Sequence, residues 1–226
     1  MKHILANLKI SISKNLYLTD PNSSILGRNI ILNSIEIIDE MGFEKFTFKK
    51  LGNTIESPEA SIYRYFKNKN QLLTYLNSWY WSYMEYQLVF ETTNIDSPEK
   101  RLEKAILLIT SNSKEYIIDG INLAKIHKIL IAESAKSYLT KDVDKINKEG
   151  AFQSYKQFVS RISEIIIEIN PQYLYPQMLV TTIIEGAHLQ SFFAEHLPRL
   201  TNKLNTPNYI TTFYTNLAFL SIKDNK

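Results

Sequence analysis

Cysteine is absent from the 226-residue chain, and glycine and proline are scarce, with six and seven copies. Without cysteine there are no disulfides, no thiolate metal sites and no thiol nucleophile, which fits a reducing compartment. The apolar residues recur mostly at helical spacing. Together these features predict an all-α protein.

Long apolar runs are also absent. No uninterrupted stretch approaches the roughly 18 residues that a membrane span needs, and polar residues interrupt residues 1–20 too often for a signal peptide. We therefore expect a cytoplasmic protein with no membrane partner.

The patterns of common enzyme sites are missing as well. There is no glycine-rich phosphate loop and no serine nucleophile elbow, and the four histidines are scattered. Glu185-x-x-His188 has the spacing of a carboxylate-bridged iron site, but such a site needs a second copy that the chain lacks. We expect no enzymatic activity, no cofactor and no metal. A helical-bundle metalloenzyme is a remote alternative.

The charge that is present is unevenly distributed. Residues 1–78 contain 10 Lys and Arg against 7 Asp and Glu, an excess that equals the net charge of +3 for the whole chain. A positive N-terminal part on a neutral remainder is typical of a phosphate-binding end.

The segment 43–76 predicts two short helices joined by a tight turn, followed by a long aromatic helix. Thr47 can cap a helix over about 48–55, and the Ser57 hydroxyl can cap one over about 58–65 that begins at Pro58. Asn68 is predicted to cap the long helix. Two helices and a turn in about twenty residues form a helix-turn-helix, whose second helix normally enters the DNA major groove.

The helix start and stop signals in the rest of the chain bring the predicted total to nine or ten helices. One runs over about 25–41, and Ser97-Pro98 opens one that Asp119-Gly120 closes near residue 118. Further helices are predicted over about 121–138, 141–169 with an interruption at Gly150, 171–196 and 207–222. We expect three parts: an arm of uncertain structure (1–24), a helix-turn-helix domain (25–70), and a helical domain for ligand binding and dimerisation (71–226). The arm is either partly ordered or a contact to DNA or a partner subunit.

A further pattern within 28–76 consists of Phe43, Thr47, Leu51-Gly52, Ile62-Tyr63-Arg64-Tyr65-Phe66, Lys69 and Leu72. With these residues the stretch resembles the tetracycline-repressor-like (TetR) family of bacterial transcription regulators. The resemblance implies a three-helix DNA-binding head on a C-terminal helical bundle. This sequence departs from the family pattern at the turn, where Glu56-Ser57-Pro58 replaces Gly-Val-Ser. A non-glycine residue with positive φ there costs about 1 kcal/mol.

Candidate DNA contacts follow from the residues and the resemblance. The family implies phosphate contacts at Thr47 and Lys69. Base contacts are expected in the first turns of the second helix, where Glu59 can accept from a cytosine or merely stabilise the helix dipole. Tyr65 and Phe66 are expected in the core. The full set is Arg28, Thr47, Lys49, Pro58, Glu59, Ala60, Ser61, Tyr63, Arg64, Lys67 and Lys69.

Aromatic residues concentrate beyond residue 75, where they fit either a helical core or a pocket for a largely apolar effector. The candidate pocket residues are Trp79, Tyr83, Tyr86, Tyr116, His127, Phe152, Tyr155 and His188.

The last two helices carry apolar residues on more than one face, which indicates either a dimer interface or an internal helix pair. The candidate interface residues are Met178, Ile183, Gly186, Ala187, Phe213, Leu217 and Leu220. The sequence thus predicts a transcriptional regulator, expected to be a repressor, that binds a palindromic DNA operator as a homodimer and is released by an unidentified small molecule. The alternative is a ligand-independent architectural or division-linked DNA-binding protein.

Overall fold

The computed structural model describes residues 10, 12–111, 116–133, 135–206 and 208–223. Within these residues the α-helices are α1 (Ile25–Met41), α2 (Phe48–Thr54), α3 (Glu59–Tyr63), α4 (Lys69–Thr92), α5 (Pro98–Thr110), α6 (Leu123–Glu133), α7 (Ala135–Tyr138), α8 (Val143–Lys148), α9 (Gln153–Ile169), α10 (Pro176–His196) and α11 (Tyr209–Lys223). Short 3-10 helices lie at Lys14–Leu16, Pro21–Ser23 and Pro198–Leu200. Strands β1 (Ile117–Ile118) and β2 (Ile121–Asn122) form an antiparallel pair. The predicted all-α class is confirmed.

The predicted helix ending near residue 118 is wrong, because α5 stops at Thr110 and a β-hairpin occupies this position. Asp119 and Gly120 have φ of 51° and 82°. Two successive positive φ values suit the tight turn of a two-residue hairpin. The predicted interruption at Gly150 is confirmed, since it separates α8 from α9 with φ of 88°. The predicted start at Pro207 lies outside the described residues.

The chain divides into two compact units, and α4 contributes to both. The first unit comprises the described residues of Met1–Ser82 and Ser113–Ser154, and the second those of Tyr83–Asn112 and Tyr155–Lys226. The first unit thus contains the helix-turn-helix together with the hairpin and α6 to α8.

In the first unit α1 packs against α6, and ion pairs join α1 and the loop after it to the segment 119–136. Lys128 Nζ lies 3.5 Å from Asp39 Oδ1. The other pairs are Arg28–Asp119, Lys125–Glu36 and Lys136–Glu44. The Lys136 hydrogen bond lowers the pKa of the Glu44 carboxyl, which keeps the acid charged. These pairs connect the hairpin, α6 and α7 to α1 and the loop that follows it.

The described residues before α1 pack on the end of the helix-turn-helix. Leu18 N donates to Tyr65 O at 2.8 Å, and the hydroxyls of Ser24 and Tyr65 lie 2.7 Å apart. Gly27 allows this packing, because a Cβ at that position would lie 2.3 Å from Pro21 O. The predicted arm also includes residues 1–9 and 11, which lie outside the described residues.

The second unit is built from the end of α4 with α5, α9, α10 and α11. Arg101 of α5 pairs with Glu168 of α9, and Arg161 of α9 pairs with Glu85 of α4 at 3.1 Å. The α10 and α11 helices pack on each other and on α5, with Ile183, Ala187 and Ala218 buried between helices. In the described part of the chain, no helix is long and apolar enough to span a membrane.

Candidate nucleic-acid interface

The α2–turn–α3 segment is fixed at both ends by local chemistry. Thr47 caps α2 as predicted, because its hydroxyl accepts from Lys50 N at 3.2 Å. Glu56 in the turn has φ of 52°, so it is the non-glycine residue of the turn that takes the left-handed conformation. Gly52 permits the tight turn, since a Cβ there would lie 2.7 Å from Ser57 O.

The predicted cap at Ser57 is wrong. Pro58 occupies the N-cap position of α3, and Ser61 N donates to Pro58 O at 2.9 Å. The Ser57 backbone instead donates to Gly52 O at 2.9 Å, which closes the turn onto α2. The first turn of α3 is therefore set by backbone hydrogen bonds and the fixed φ of proline.

The predicted contact residues around α3 face solvent. Pro58 and Ala60 are exposed, whereas Glu59 and Ser61 are half-buried. Tyr63 is 47% exposed and packs edge-on against Phe48, with the ring centroids 5.1 Å apart. Four cationic side chains are exposed on the same segment, namely Lys49, Lys50, Arg64 and Lys67.

The residues behind this surface form the predicted core. Phe66 is fully buried and Tyr65 is 8% exposed, as expected from the sequence. The ring of Phe66 packs edge-on against Tyr75 of α4 at 5.4 Å, which joins the end of α3 to the long helix.

Asn68 caps α4 as predicted, since its side chain accepts from Gln71 N at 2.9 Å, and Gln71 Oε1 accepts from Lys67 N at 2.7 Å. These two hydrogen bonds fix the start of the helix.

Lys69 has an additional role that the sequence did not reveal. Its ammonium donates to the carbonyl oxygens of Phe43, Glu44 and Phe46, at 3.0, 3.1 and 3.4 Å, and lies 4.7 Å from the centre of the Phe43 ring. The lysine therefore ties α4 to the loop between α1 and α2. Arg28, also a predicted phosphate contact, is likewise engaged, by Asp119.

Residues 30–76 match the family model of bacterial regulatory proteins of the tetR family. The chain carries the DNA-binding domain of the TetR family. The resemblance seen in the sequence is thereby confirmed, and the three helices α1 to α3, with the start of α4, form this TetR domain.

Solved structures of three other proteins share the fold of this chain over most of its length. AibR in complex with isovaleryl coenzyme A and operator DNA aligns with a TM-score of 0.54 and 17% identity, covering 84% of this chain and 97% of that one. The fatty acid degradation regulator FadR from Bacillus halodurans aligns with a TM-score of 0.57 and 13% identity, covering 88% and 95%. The superantigen PfiT aligns with a TM-score of 0.57 and 14% identity, covering 92% and 100%. No curated protein matches the chain. At these identities the structural likeness concerns the fold alone.

The candidate pocket residues fall in different units. Trp79, Tyr116, His127 and Phe152 belong to the first unit, and Tyr83, Tyr86, Tyr155 and His188 to the second. His127 is 7% exposed and stacks on Tyr80 at 5.6 Å, and its burial lowers its pKa to about 4. Tyr86 and Tyr116 are largely exposed, at 49% and 47%. Within the described residues, no three potential metal ligands are arranged to hold an ion.

The candidate interface residues differ in how exposed they are. Met178, Phe213, Leu217 and Leu220 are exposed, at 66%, 58%, 37% and 61%. In contrast, Ile183 and Ala187 are buried in the core of the second unit. Gly186 faces α11, because a Cβ there would lie 2.2 Å from the Tyr214 hydroxyl. The glycine therefore permits close packing of α10 on α11 within one chain.

Proposed function

We propose that the chain is a transcription regulator that binds a palindromic operator as a homodimer and is released by a small, largely apolar effector. The observation that supports DNA binding best is the exposed cationic surface around α3 of the TetR domain. In this proposal residues 25–70 bind DNA, and 71–226 provide the effector and dimer sites.

The α3 helix would enter the major groove with its first turn toward the base edges. Pro58 and Ala60 offer apolar contacts to thymine methyl groups, and Glu59 offers an acceptor to cytosine. Lys49, Arg64 and Lys67 would attract the phosphates on either side of the groove.

Dimerisation is supported by an apolar surface on the two last helices. Phe213, Leu217 and Leu220 recur at spacings of four and three residues, so they share one face of α11. Met178 and Leu189 are exposed on α10, at 66% and 51%. A group of exposed apolar side chains of this kind suits burial against a second copy.

Binding of a small-molecule effector is supported by the aromatic residues of the helical domain (71–226) and by two proteins of similar structure. The AibR structure contains an acyl coenzyme A together with operator DNA, and FadR is described as a fatty acid degradation regulator. We propose a largely apolar ligand for this chain as well.

Selection of bound DNA from a random pool tests the proposal directly. A palindromic consensus is expected, and Ala60→Glu should weaken binding to it more than tenfold because it places a carboxylate on the proposed base-contacting turn. Ala132→Glu, on the exposed side of α6, is the matched control and should bind as well as wild type. Failure to enrich any sequence at low salt would refute specific DNA binding. With the consensus in hand, isovaleryl-CoA and free fatty acids are the first probes for release of the complex.

A further inference from the structure

Residues 12–24 form a strap that joins two helix ends within the first unit. Near its start, Ser13 Oγ and Asn15 Nδ2 both donate to the carbonyl oxygen of Glu149, at 3.2 and 3.1 Å. Glu149 is the C-cap of α8, so its carbonyl is one of those that have no partner within the helix. The first attachment of the strap is therefore the C-terminal end of α8.

The second attachment is the C-terminal end of α3. Leu18 N donates to Tyr65 O at 2.8 Å, and Thr19 Oγ1 donates to Arg64 O at 2.9 Å. Arg64 is the C-cap of α3. The strap thus supplies hydrogen-bond donors to two successive carbonyls at a helix end, where the helix has no donors of its own to offer.

Buried contacts hold the strap between these attachments and beyond them. Leu16 and Ile12 are 2% and 8% exposed, and the ring of Tyr17 packs edge-on against Tyr75 with the centroids 6.2 Å apart. Asn22 Nδ2 also donates to the Tyr75 hydroxyl at 3.4 Å. Because Tyr75 lies on α4 and is only 1% exposed, the strap is fixed to the core of the unit as well as to the two helix ends.

The α3 helix depends on such support because it is short. It contains five residues, and isolated helices of fewer than about 12–15 residues are marginal in water. Its N-terminal end is held by the turn from α2, where Ser57 N donates to Gly52 O at 2.9 Å. Its C-terminal end is held by the strap. Side chains that read base edges need to be held within about 0.5 Å, and supporting hydrogen bonds of this kind provide that precision.

We propose that the strap is a positioning element for α3 and makes discrimination between DNA sequences depend on the end of α8. Leu18 and Thr19 position the residues that follow α3, while Ser13 and Asn15 fix the other end of the strap to Glu149. The strap acts through α3 and does not itself contact DNA. A displacement of the end of α8 thus reaches α3 through a hydrogen-bonded segment that does not include α4. The effect on DNA binding rests on the proposed function, whereas the support of α3 does not.

Amide hydrogen exchange in the free, full-length chain tests the support of α3. Thr19→Val removes the hydroxyl donor at one end of the strap and keeps the shape of the side chain, and Asn15→Ala removes a donor at the other end. The amides of Tyr65 and Phe66, which both donate to Ile62 O, report on the end of α3. Each substitution should speed their exchange by about threefold to tenfold, the factor that corresponds to one hydrogen bond.

Two control variants separate this effect from a general loss of stability. Thr19→Ser keeps the hydroxyl and should exchange like wild type. Thr93→Val is the matched control, because the Thr93 hydroxyl also donates to a carbonyl oxygen, that of Val89 at 2.6 Å, from an exposed position in the second unit. It should leave exchange at the end of α3 unchanged.

Affinities for the selected consensus and for a random duplex test the consequence for DNA binding. Thr19→Val and Asn15→Ala should each weaken binding to the consensus by about threefold to tenfold, because α3 is less precisely placed. Binding to the random duplex should stay within about twofold of wild type, since every cationic side chain that attracts phosphates is retained. Equal losses on both duplexes would mean that the strap contacts phosphates directly, which would overturn the positioning role.

The support of α3 would be disproved if both variants exchanged like wild type at Tyr65 and Phe66. A uniform rise in exchange over the whole first unit would overturn it too, because it would indicate a loss of overall stability instead of a local release. If no DNA sequence were enriched, the proposed function would fail, and the exchange rates of the free chain would still decide whether the strap supports α3.

Discussion

At the scale of single residues, Glu56 holds the turn between α2 and α3 in a conformation that costs little only for glycine. Its φ is 52°, and the left-handed region costs a non-glycine residue about 1–2 kcal/mol. Glu56→Gly should therefore raise the free energy of unfolding by up to about 1 kcal/mol, after the extra chain entropy of glycine is subtracted. Urea unfolding measures the change.

The control is Glu40→Gly, the same substitution near the exposed end of α1, where the backbone is helical. There the free energy of unfolding should fall by about 1 kcal/mol, because glycine is a poor helix former. Equal losses at the two sites would contradict the assigned strain.

His127 makes stability depend on pH. Its burial lowers its pKa to about 4 in the folded chain, while the unfolded chain has the ordinary value of about 6.5. Protonation below 6.5 thus favours the unfolded state. The stability associated with neutral His127 is complete above that pH and is lost as the pH falls toward 4, by an amount on the order of 3 kcal/mol.

Unfolding in urea at several pH values between about 4 and 7.5 measures this loss. His127→Gln should flatten the pH dependence across that window, whereas His196→Gln, at an exposed histidine, should leave it unchanged. A wild-type slope retained in His127→Gln would show that other groups are responsible.

At the scale of helices, the first residue of α4 links that helix to the loop before α2. Lys69→Met removes three hydrogen bonds from the ammonium to carbonyl oxygens while keeping the aliphatic chain. We expect the free energy of unfolding to fall by about 1–3 kcal/mol. If Lys69 also meets a phosphate, the slope of log K against log salt for DNA binding should fall by about one.

Lys67→Met is the matched control, two residues away on the exposed surface. It should lower the salt slope by about one and leave stability within about 0.5 kcal/mol of wild type. Unchanged stability in Lys69→Met would show that its carbonyl contacts contribute little to the fold.

The packing of α10 on α11 depends on the absence of a side chain at Gly186. A Cβ there would lie 2.2 Å from the Tyr214 hydroxyl, and Tyr214 is itself 5% exposed. Gly186→Ala should lower the free energy of unfolding by about 1–3 kcal/mol through overpacking. Adding Tyr214→Phe removes the clashing oxygen and should restore part of the loss. Strictly additive effects of the two substitutions would contradict this contact.

At the scale of the whole molecule, the proposed dimer depends on the exposed apolar face of α11. Leu220→Glu would place an unpaired carboxylate in that interface, at a cost of several kcal/mol. Sedimentation should show a wild-type dimer at micromolar concentration and a monomeric variant. Leu139→Glu is the control, since Leu139 is 78% exposed in the first unit and should leave the dimer intact. A monomeric wild type would refute the dimer.

Much of the helix-turn-helix was predictable from the sequence because its determinants are local. The caps at Thr47 and Asn68 depend on residues only a few positions apart. The buried Tyr65 and Phe66 follow from helical spacing and from the family resemblance.

What escaped prediction depends on residues that are distant in the sequence. The contacts of Lys69 require the loop after α1, and the ion pair of Arg28 requires the hairpin at Asp119. Asp119-Gly120 itself is ambiguous, because the same two residues can end a helix or turn a hairpin. Similarly, the spacing of the aromatic residues did not reveal which of them lie in the same compact unit. The candidate pocket residues are in fact divided between the two units.

The ion pairs between α1 and the segment 119–136 affect how DNA binding by this chain must be measured. Salt that displaces the protein from phosphates also screens Lys125–Glu36 and Lys128–Asp39, since these pairs are partly exposed. Ionic strength thus acts on two processes, counterion release from DNA and the attachment of α6 to the head. A phosphate count taken from the wild-type slope alone would include both. The difference in slope between wild type and Lys67→Met isolates the phosphate contact of Lys67, because the two proteins share every one of these internal pairs.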